Sequence, residues 1–157
     1  MIDGLPVLAS VLNPITSESF EATAGGGATL NGNPLAPSEQ TAIAGASILA
    51  SSGEMKKQRW PDVFPEALFT TIGSLAYKLA LVASGRFDGL ISLRSCSDWD
   101  IAAAILLLEE SGARLSDGSG QPIRLNQSTL RHHGLVAAGT DPLYTQCLSR
   151  LVKIASS

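Results

Sequence analysis

The sequence predicts an α/β fold built in layers, with short antiparallel strands first and an α/β domain after them. Three observations carry that expectation. The opening 37 residues alternate brief β-prone runs with glycine, proline and asparagine turns. From Thr41 onward, strand-like and helix-like segments alternate. Finally, Ile101 to Leu108 is a run of eight residues without a polar side-chain atom, inside a segment long enough to be a helix buried on most sides.

The elements follow in order. Pro6 to Leu12 is a short strand ended by Asn13-Pro14, and Ser19 to Ala24 alternates Phe20 and Ala22 against Glu21 and Thr23 as a second strand. The "GGGATLNGNP" stretch supplies a glycine turn, a strand at Ala28 to Leu30 and an Asn31-Gly32 hairpin turn. Strands this short cannot close a core alone and need a second sheet or a helical layer. "TAIAGAS" (41–47) is expected to be a buried strand of small residues, and 51–65, charged and holding two prolines, an irregular excursion with room for a helical turn. Phe69 to Ile72 is a strand candidate. Ser74 to Ser84 is a helix, with Leu75, Leu79, Val82 and Ala83 at helical spacing, Ser74 as its cap and Gly85 as its stop. "FDGLISL" is a strand, 98–111 a helix closed by Gly112, and 113–116 and 122–125 are strands flanking a "DGSG" turn. Gly134 to Gly139 is a short buried strand, and Pro142 to Ile154 an amphipathic final helix.

At 157 residues the chain fits one domain, or one domain with a fragment of another. We divide it at 1–37, an incomplete set of strands, and 41–155, an α/β domain. Apolar residues make up 45% and charged residues 16%, which supports a real core. A net charge of −3 and a pI near 5.3 argue against a surface that coats a nucleic-acid polymer. The long uncharged stretches are broken by Gly, Pro, Asn and Ser, so no membrane span is expected. The start "MIDGLPVLAS" lacks a basic segment and is broken by Pro6, unlike a signal peptide. Cys96 and Cys147 have no zinc-ligand spacing and are expected to be reduced thiols in a cytoplasmic protein.

Chemistry concentrates at "SDWD", residues 97–100. Ser97 and Asp100 form a Ser-x-x-Asp variant of the capping box, and carboxylates in a helix's first turn suit its dipole. That leaves open why two carboxylates flank Trp99 at the mouth of so apolar a helix. At a seam between layers, a carboxylate acts as an internal cap or ligates a hard cation through oxygen. The other candidates are weaker. "TAGGGATLNG" is followed by turn residues and a short strand rather than the helix a dinucleotide cradle needs, so it is a hairpin turn. "LSDGSG" lacks nucleophile-elbow spacing. His132 and His133 are adjacent, have no acidic residue at a suggestive spacing, and are assigned to a solvated loop.

"WDIAAAILLLEESGA" (99–113) resembles the C-terminal signature of the inositol monophosphatase superfamily: Trp-Asp, small residues, an apolar run, then Glu-x-Gly-small, with Ser111 and Ala113 departing from the usual alanine and glycine. "GSLAYKLALVASGRFDGLIS" (73–92) resembles that family's Gly-Ser-x-Ala helix and Gly-x-x-Asp strand. "ESFEATAGGGATLNGNPL" (18–35) resembles its hairpin, and "GLVAAG" its penultimate strand. The resemblance implies the C-terminal part of an αβαβα phosphatase sandwich. It further implies Mg²⁺-dependent hydrolysis of a small phosphomonoester by metal-activated water. By resemblance, Asp100 is a metal ligand; Gly73, Ser74 and Ala76 line the substrate side near a helix N-terminus; and Arg94 to Asp98 face the rest of the substrate. Asp98 directly before Trp99 is reminiscent of the 3′(2′),5′-bisphosphate nucleotidase branch.

The chain departs from the family where the other metal ligands stand. Neither the upstream helix glutamate nor the Asp-Pro-Ile-Asp-Gly-Thr loop is present. "MIDG" imitates part of that loop, but Leu5 stands where threonine is usual, and Gly4 to Val7 fits better as the turn and strand after it. We therefore expect a C-terminal portion that carries one side of a metal site and is inactive alone. The alternative is a non-catalytic relative that binds a ligand or partner and, with a sheet edge bare, forms a homodimer.

Overall fold

The computed structural model describes residues 2, 5–58, 60–128 and 130–155. Two sheets organise them. The first is antiparallel, in the order β1-β2-β3-β4: β1 (Leu8–Asn13), β2 (Glu18–Thr23), β3 (Gly27–Leu30) and β4 (Asn33–Pro34). Asn31 and Gly32 form the two-residue turn between β3 and β4, with φ of 49° and 81°, the left-handed pair that such a hairpin demands. The second sheet has the order β6-β5-β7-β9-β8, made of β5 (Ser47–Ala50), β6 (Leu68–Thr71), β7 (Gly89–Ser97), β8 (Arg114–Asp117) and β9 (Arg131–Ala138). There β5 runs parallel to β6 and β7, and β9 antiparallel to β7 and β8.

Helices α3 (Leu75–Ala83) and α4 (Asp98–Ser111) lie side by side between the two sheets. One continuous core joins Phe20 and Ala22 of the first sheet, Leu79, Val82, Ile101 and Leu107 of the helices, and Leu90, Leu135 and Ala137 of the second sheet. The alternate residues of those strands, Ile48, Ile91 and Val136, point the other way. They bury Trp60 and Phe64 beside α2 (Trp60–Val63), and Leu143, Cys147 and Leu151 of α5 (Asp141–Ala155). Period-two alternation thus serves two apolar layers at once, which is why these strands are apolar on both faces. The architecture is an α/β sandwich with β, α, β and α layers in succession.

Asp88 clasps the connection between the sheets: it accepts from the Ser38 hydroxyl and, at 2.7 Å, from the Ser47 N–H. Gly85 also belongs to this seam, because its φ is +71° and a Cβ there would sit 2.7 Å from the Ala36 carbonyl oxygen. The turn 25–27 is a hairpin turn, and its Gly25 and Gly27 N–H groups do hold an anion. That anion is the protein's own Glu110 carboxylate, at 2.7 and 2.8 Å, which pins the first sheet to the end of α4.

Four sequence expectations are corrected. Residues 41–46 are a loop, and the strand starts only at Ser47, because Gly45 takes φ +76° and breaks the run of small residues. The excursion 51–65 contains two helices, α1 (Ser52–Gln58) and α2. Pro61 sits at the start of α2, where a missing N–H costs nothing. Residues 122–125 form no strand. The histidines lie on β9, which begins at Arg131, and not in a loop.

Candidate active site

A cleft of about 410 Å³ opens where the N-termini of α3 and α4 meet the end of β7 and α1. It brings together Gly73, Ser74, Arg94 and Asp100 of the residues singled out from the sequence, with Glu54, Lys78, Ser92 and Cys96. Ala76 and Asp98 lie outside that lining. Asp3 and Gly4, the part of "MIDG" that imitates a metal loop, lie outside the described residues.

Asp100 owes its place to α4. The Ser97 N–H donates to its Oδ2 at 2.9 Å, one arm of a capping box, which fixes the carboxylate at the first turn and leaves Oδ1 without a hydrogen bond among the described residues. The apolar body of α4, with Ile101 and Leu107 fully buried, anchors that turn between the layers. Ser74 caps α3 and accepts from the Tyr77 N–H at 3.3 Å, while its backbone takes φ 53°. A left-handed serine at a helix start beside a cleft is strain of the kind that collects at functional sites.

The wall opposite is a β-bulge. Between the pairs Ser92–Leu135 and Ser95–His133, the two residues Leu93 and Arg94 face the single residue Gly134. Gly134 has φ +72°, and a Cβ on it would come within 3.0 Å of the Ser92 carbonyl oxygen. The bulge frees two backbone donors, and the carboxylate of Glu54, only 3% exposed, takes both: Leu93 N–H at 2.5 Å and Arg94 N–H at 3.2 Å. Its other oxygen accepts from the hydroxyls of Ser51 (2.6 Å) and Ser92 (2.9 Å). Glu54 therefore sets the backbone that presents Arg94 and Ser95 to the cleft. Ser51-x-x-Glu54 is a capping-box signature ahead of α1, so a signal for this residue existed in the sequence.

The two flanks of the cleft differ in charge. Burial, reinforced by Asp100, pushes the Cys96 thiol up to about 11, so it is not a nucleophile at neutral pH. Lys78, 5% exposed, is held below its ordinary value by burial first. Glu54 attracts it, Arg94 repels it, and its ammonium has no hydrogen-bond or ion-pair partner among the described residues. Lys78 is the charged residue within "LAYKLALVA", a signal the sequence carries on its own.

Asp98 turns away from the cleft. It accepts from the Asn126 N–H and meets His132 Nε2, both at 2.7 Å. Burial works to raise its pKa, but these two contacts outweigh it and hold the carboxyl below its ordinary value. His132 thus has an acidic partner, one that lies 34 residues away in sequence and adjacent in space.

Residues 1–156 match the model of the Inositol monophosphatase family. The chain belongs to the inositol monophosphatase family. It is 35% identical over 128 residues to the Escherichia coli protein named Nus factor SuhB, covering 76% of this chain and 47% of that relative. It is 34% identical over 125 residues to an inositol-1-monophosphatase of Rhizobium meliloti, covering 73% and 47%. Among solved structures, an inositol monophosphatase from Anabaena superposes with a TM-score of 0.82 at 25% identity, over 98% of this chain and 61% of that one. A Thermotoga maritima IMPase superposes with a TM-score of 0.86 at 21% identity, over 98% and 59%. The chain therefore spans about half the length of the curated relatives it matches.

The donors fit one share of a Mg²⁺ site. Asp100 offers a free carboxylate oxygen at the cleft, and Mg²⁺ keeps waters and takes one or two carboxylates together with a substrate phosphate. Among the described residues, no three His, Cys, Asp or Glu side chains gather at one point. No helix among them is long and apolar enough to cross a membrane.

Proposed function

We propose that this chain forms one side of the active site of a cytoplasmic, Mg²⁺-dependent phosphomonoesterase. The observation that carries the reading is the convergence of Asp100 and the N-terminus of α3 on one cleft. Asp100 would ligate the metal. Bound there, Mg²⁺ would activate water and neutralise charge on the phosphoryl and leaving oxygens. Gly73 and Ser74, at the start of α3, would offer backbone N–H groups to an incoming phosphate, since a helix N-terminus suits anions. Arg94 would meet the non-phosphate part of the substrate. Asp98 and Ala76 would act from behind the lining, Asp98 by steadying the first turn of α4. Inositol monophosphate and 3′(2′),5′-bisphosphate nucleotides are the substrate candidates.

One carboxylate does not neutralise the two or three cations such sites use, so the remaining ligands would come from the part of the relatives that this chain does not span. Phosphate release from inositol 1-phosphate or an adenosine bisphosphate by the purified chain is therefore expected to be negligible with Mg²⁺ present. Mg²⁺-dependent turnover that disappears in Asp100→Asn would show instead that the chain is a complete enzyme.

A second reading is a non-catalytic chain that pairs with another copy. It is favoured by β1, the outer strand of the first sheet, where Leu8 is 72% and Leu12 64% exposed. Sizing chromatography separates the two: a concentration-independent monomer removes the homodimer.

A further inference from the structure

The first sheet ends on one side at β1, and among the described residues no strand pairs with its far edge. The Ala24 N–H donates to the Val7 carbonyl at 3.0 Å, so in this antiparallel ladder residues 7, 9, 11 and 13 bond to β2. The N–H and C=O groups of Leu8, Ser10 and Leu12 therefore point to the open edge. Such an edge is a template for strand addition unless charge or proline blunts it, and β1 holds neither. Its two faces differ. Leu8 and Leu12 are 72% and 64% exposed on the outer face, whereas Ala9 and Val11 pack into the core. Beside the start of β1, a groove of about 270 Å³ lies between Leu5 and the flank of α4, with Ile105, Ile123 and Leu125 in its lining. A water occupies about 30 Å³, so the groove has room for side chains. Glu109 and Arg124 also line it, both exposed and of opposite sign, which leaves the groove without net charge.

We infer that this edge and groove receive a β-strand from a polypeptide segment outside these 157 residues, one that carries the part of the family fold this chain does not span. The strand is apolar on both faces. One row of its side chains fills the groove against Ile105, Ile123 and Leu125, and the other lies beside Leu8 and Leu12. Its backbone bonds to Leu8, Ser10 and Leu12, which supplies affinity, while the groove supplies selectivity. The relatives have chain enough to provide it. The match covers 47% of the Escherichia coli protein, and the superposition takes in 98% of this chain but 61% of the Anabaena structure. A second copy of this chain does not fit. Its β1 would bring Ala9 and Val11 to the groove side, and those residues are already packed in that copy's own core. The inference rests on the proposed function for the identity of the donor; the binding it describes needs neither metal nor turnover.

The test mixes the chain, in EDTA, with the separately expressed stretch that precedes the 128 matched residues of the Escherichia coli Nus factor SuhB. The corresponding stretch of the Rhizobium meliloti inositol-1-monophosphatase is tried in parallel. A one-to-one complex by light scattering, with an affinity of about 1 μM or tighter by calorimetry, is expected with one or both. In that complex the Leu8, Ser10 and Leu12 amides should gain protection from hydrogen exchange. Ser10→Pro removes an edge donor without removing an internal bond, and Ile123→Asp puts a charge at a half-buried position in the groove. Each should weaken the complex about tenfold or more while the circular dichroism of the chain alone stays unchanged. Failure of both stretches to bind, or binding that survives both substitutions, overturns the docking face. So does a homodimer that protects the same amides. The two readings fail separately. A complex without Mg²⁺-dependent phosphate release leaves the docking face standing and counts against the phosphatase reading. Release by the unmixed chain, with no complex formed, does the reverse.

Discussion

Removing the Glu54 side chain should unfasten one wall of the cleft. In Glu54→Ala, the Leu93 N–H loses its 2.5 Å acceptor and has no substitute, whereas the Arg94 N–H can fall back on the Ser92 hydroxyl at 3.2 Å. An orphaned buried donor costs about 1–3 kcal/mol, and each hydrogen bond to a charged acceptor contributes about 1.5–3 kcal/mol. Loss of two such backbone bonds and two hydroxyl bonds is partly offset, because burying a carboxylate is itself expensive. A net destabilisation of about 3 kcal/mol follows, and for a chain of this size each kcal/mol moves the melting temperature by about 2–4 °C. Glu54→Ala should therefore melt about 6–12 °C lower by circular dichroism. Glu54→Gln should lose about 1 kcal/mol or less, since its carbonyl can serve the backbone donors while its amide donates to hydroxyls free to rotate. Hydrogen exchange locates the effect: the Leu93 amide should lose protection in the alanine variant and keep it in the glutamine variant. A Glu54→Ala chain that melts within about 2 °C of the parent, or keeps Leu93 protected, would refute the reasoning.

Other outcomes follow from the same structure. Lys78→Met should stabilise the chain by up to about 2 kcal/mol, because it removes a charge that burial penalises and keeps a side chain of similar length. Burial depresses the folded pKa below the unfolded 10.5, so the cost is full at neutral pH and fades as pH rises through that window; a Lys78→Met advantage that does not shrink toward pH 10.5 in paired urea melts would contradict this. Leu107→Ala, at a fully buried position between the sheets, should cost about 2–5 kcal/mol, and a chemical-denaturation midpoint unmoved by it would mean the helix layer is looser than described. Glu18 is held at about 2 by Arg86 and by the Tyr77 and Thr16 hydroxyls, so its contribution is present above 4.5 and is lost as pH falls toward 2. Melts of Glu18→Gln should accordingly be flatter than the parent's across that range.

Regular elements with a strong period were legible in the sequence. Ser74 and Gly85 bracket α3, and Ser97 and Gly112 bracket α4, because caps and stops are local chemistry written at fixed offsets. The Asn31-Gly32 hairpin was legible for the same reason. What escaped was non-local or ambiguous. "TAIAGAS" has the apolarity of a strand, yet alanine and glycine impose no β geometry, and Gly45 turns the chain before Ser47. Pro61 made 51–65 look irregular, although proline at a helix start is benign. Of the residues the resemblance singled out, Asp100, Gly73, Ser74 and Arg94 line one cleft, while Ala76 and Asp98 lie outside its lining. The Asp98–His132 contact and the grip of Glu54 on β7 join residues more than 30 positions apart, and no periodicity encodes such meetings.

The placement of α3 and α4 between two sheets also bears on how this chain can diverge. Most surfaces of both helices are enclosed, so polar drift is shut out along most of their length. Tolerance for change is left to the wet face of α5 and to the loops.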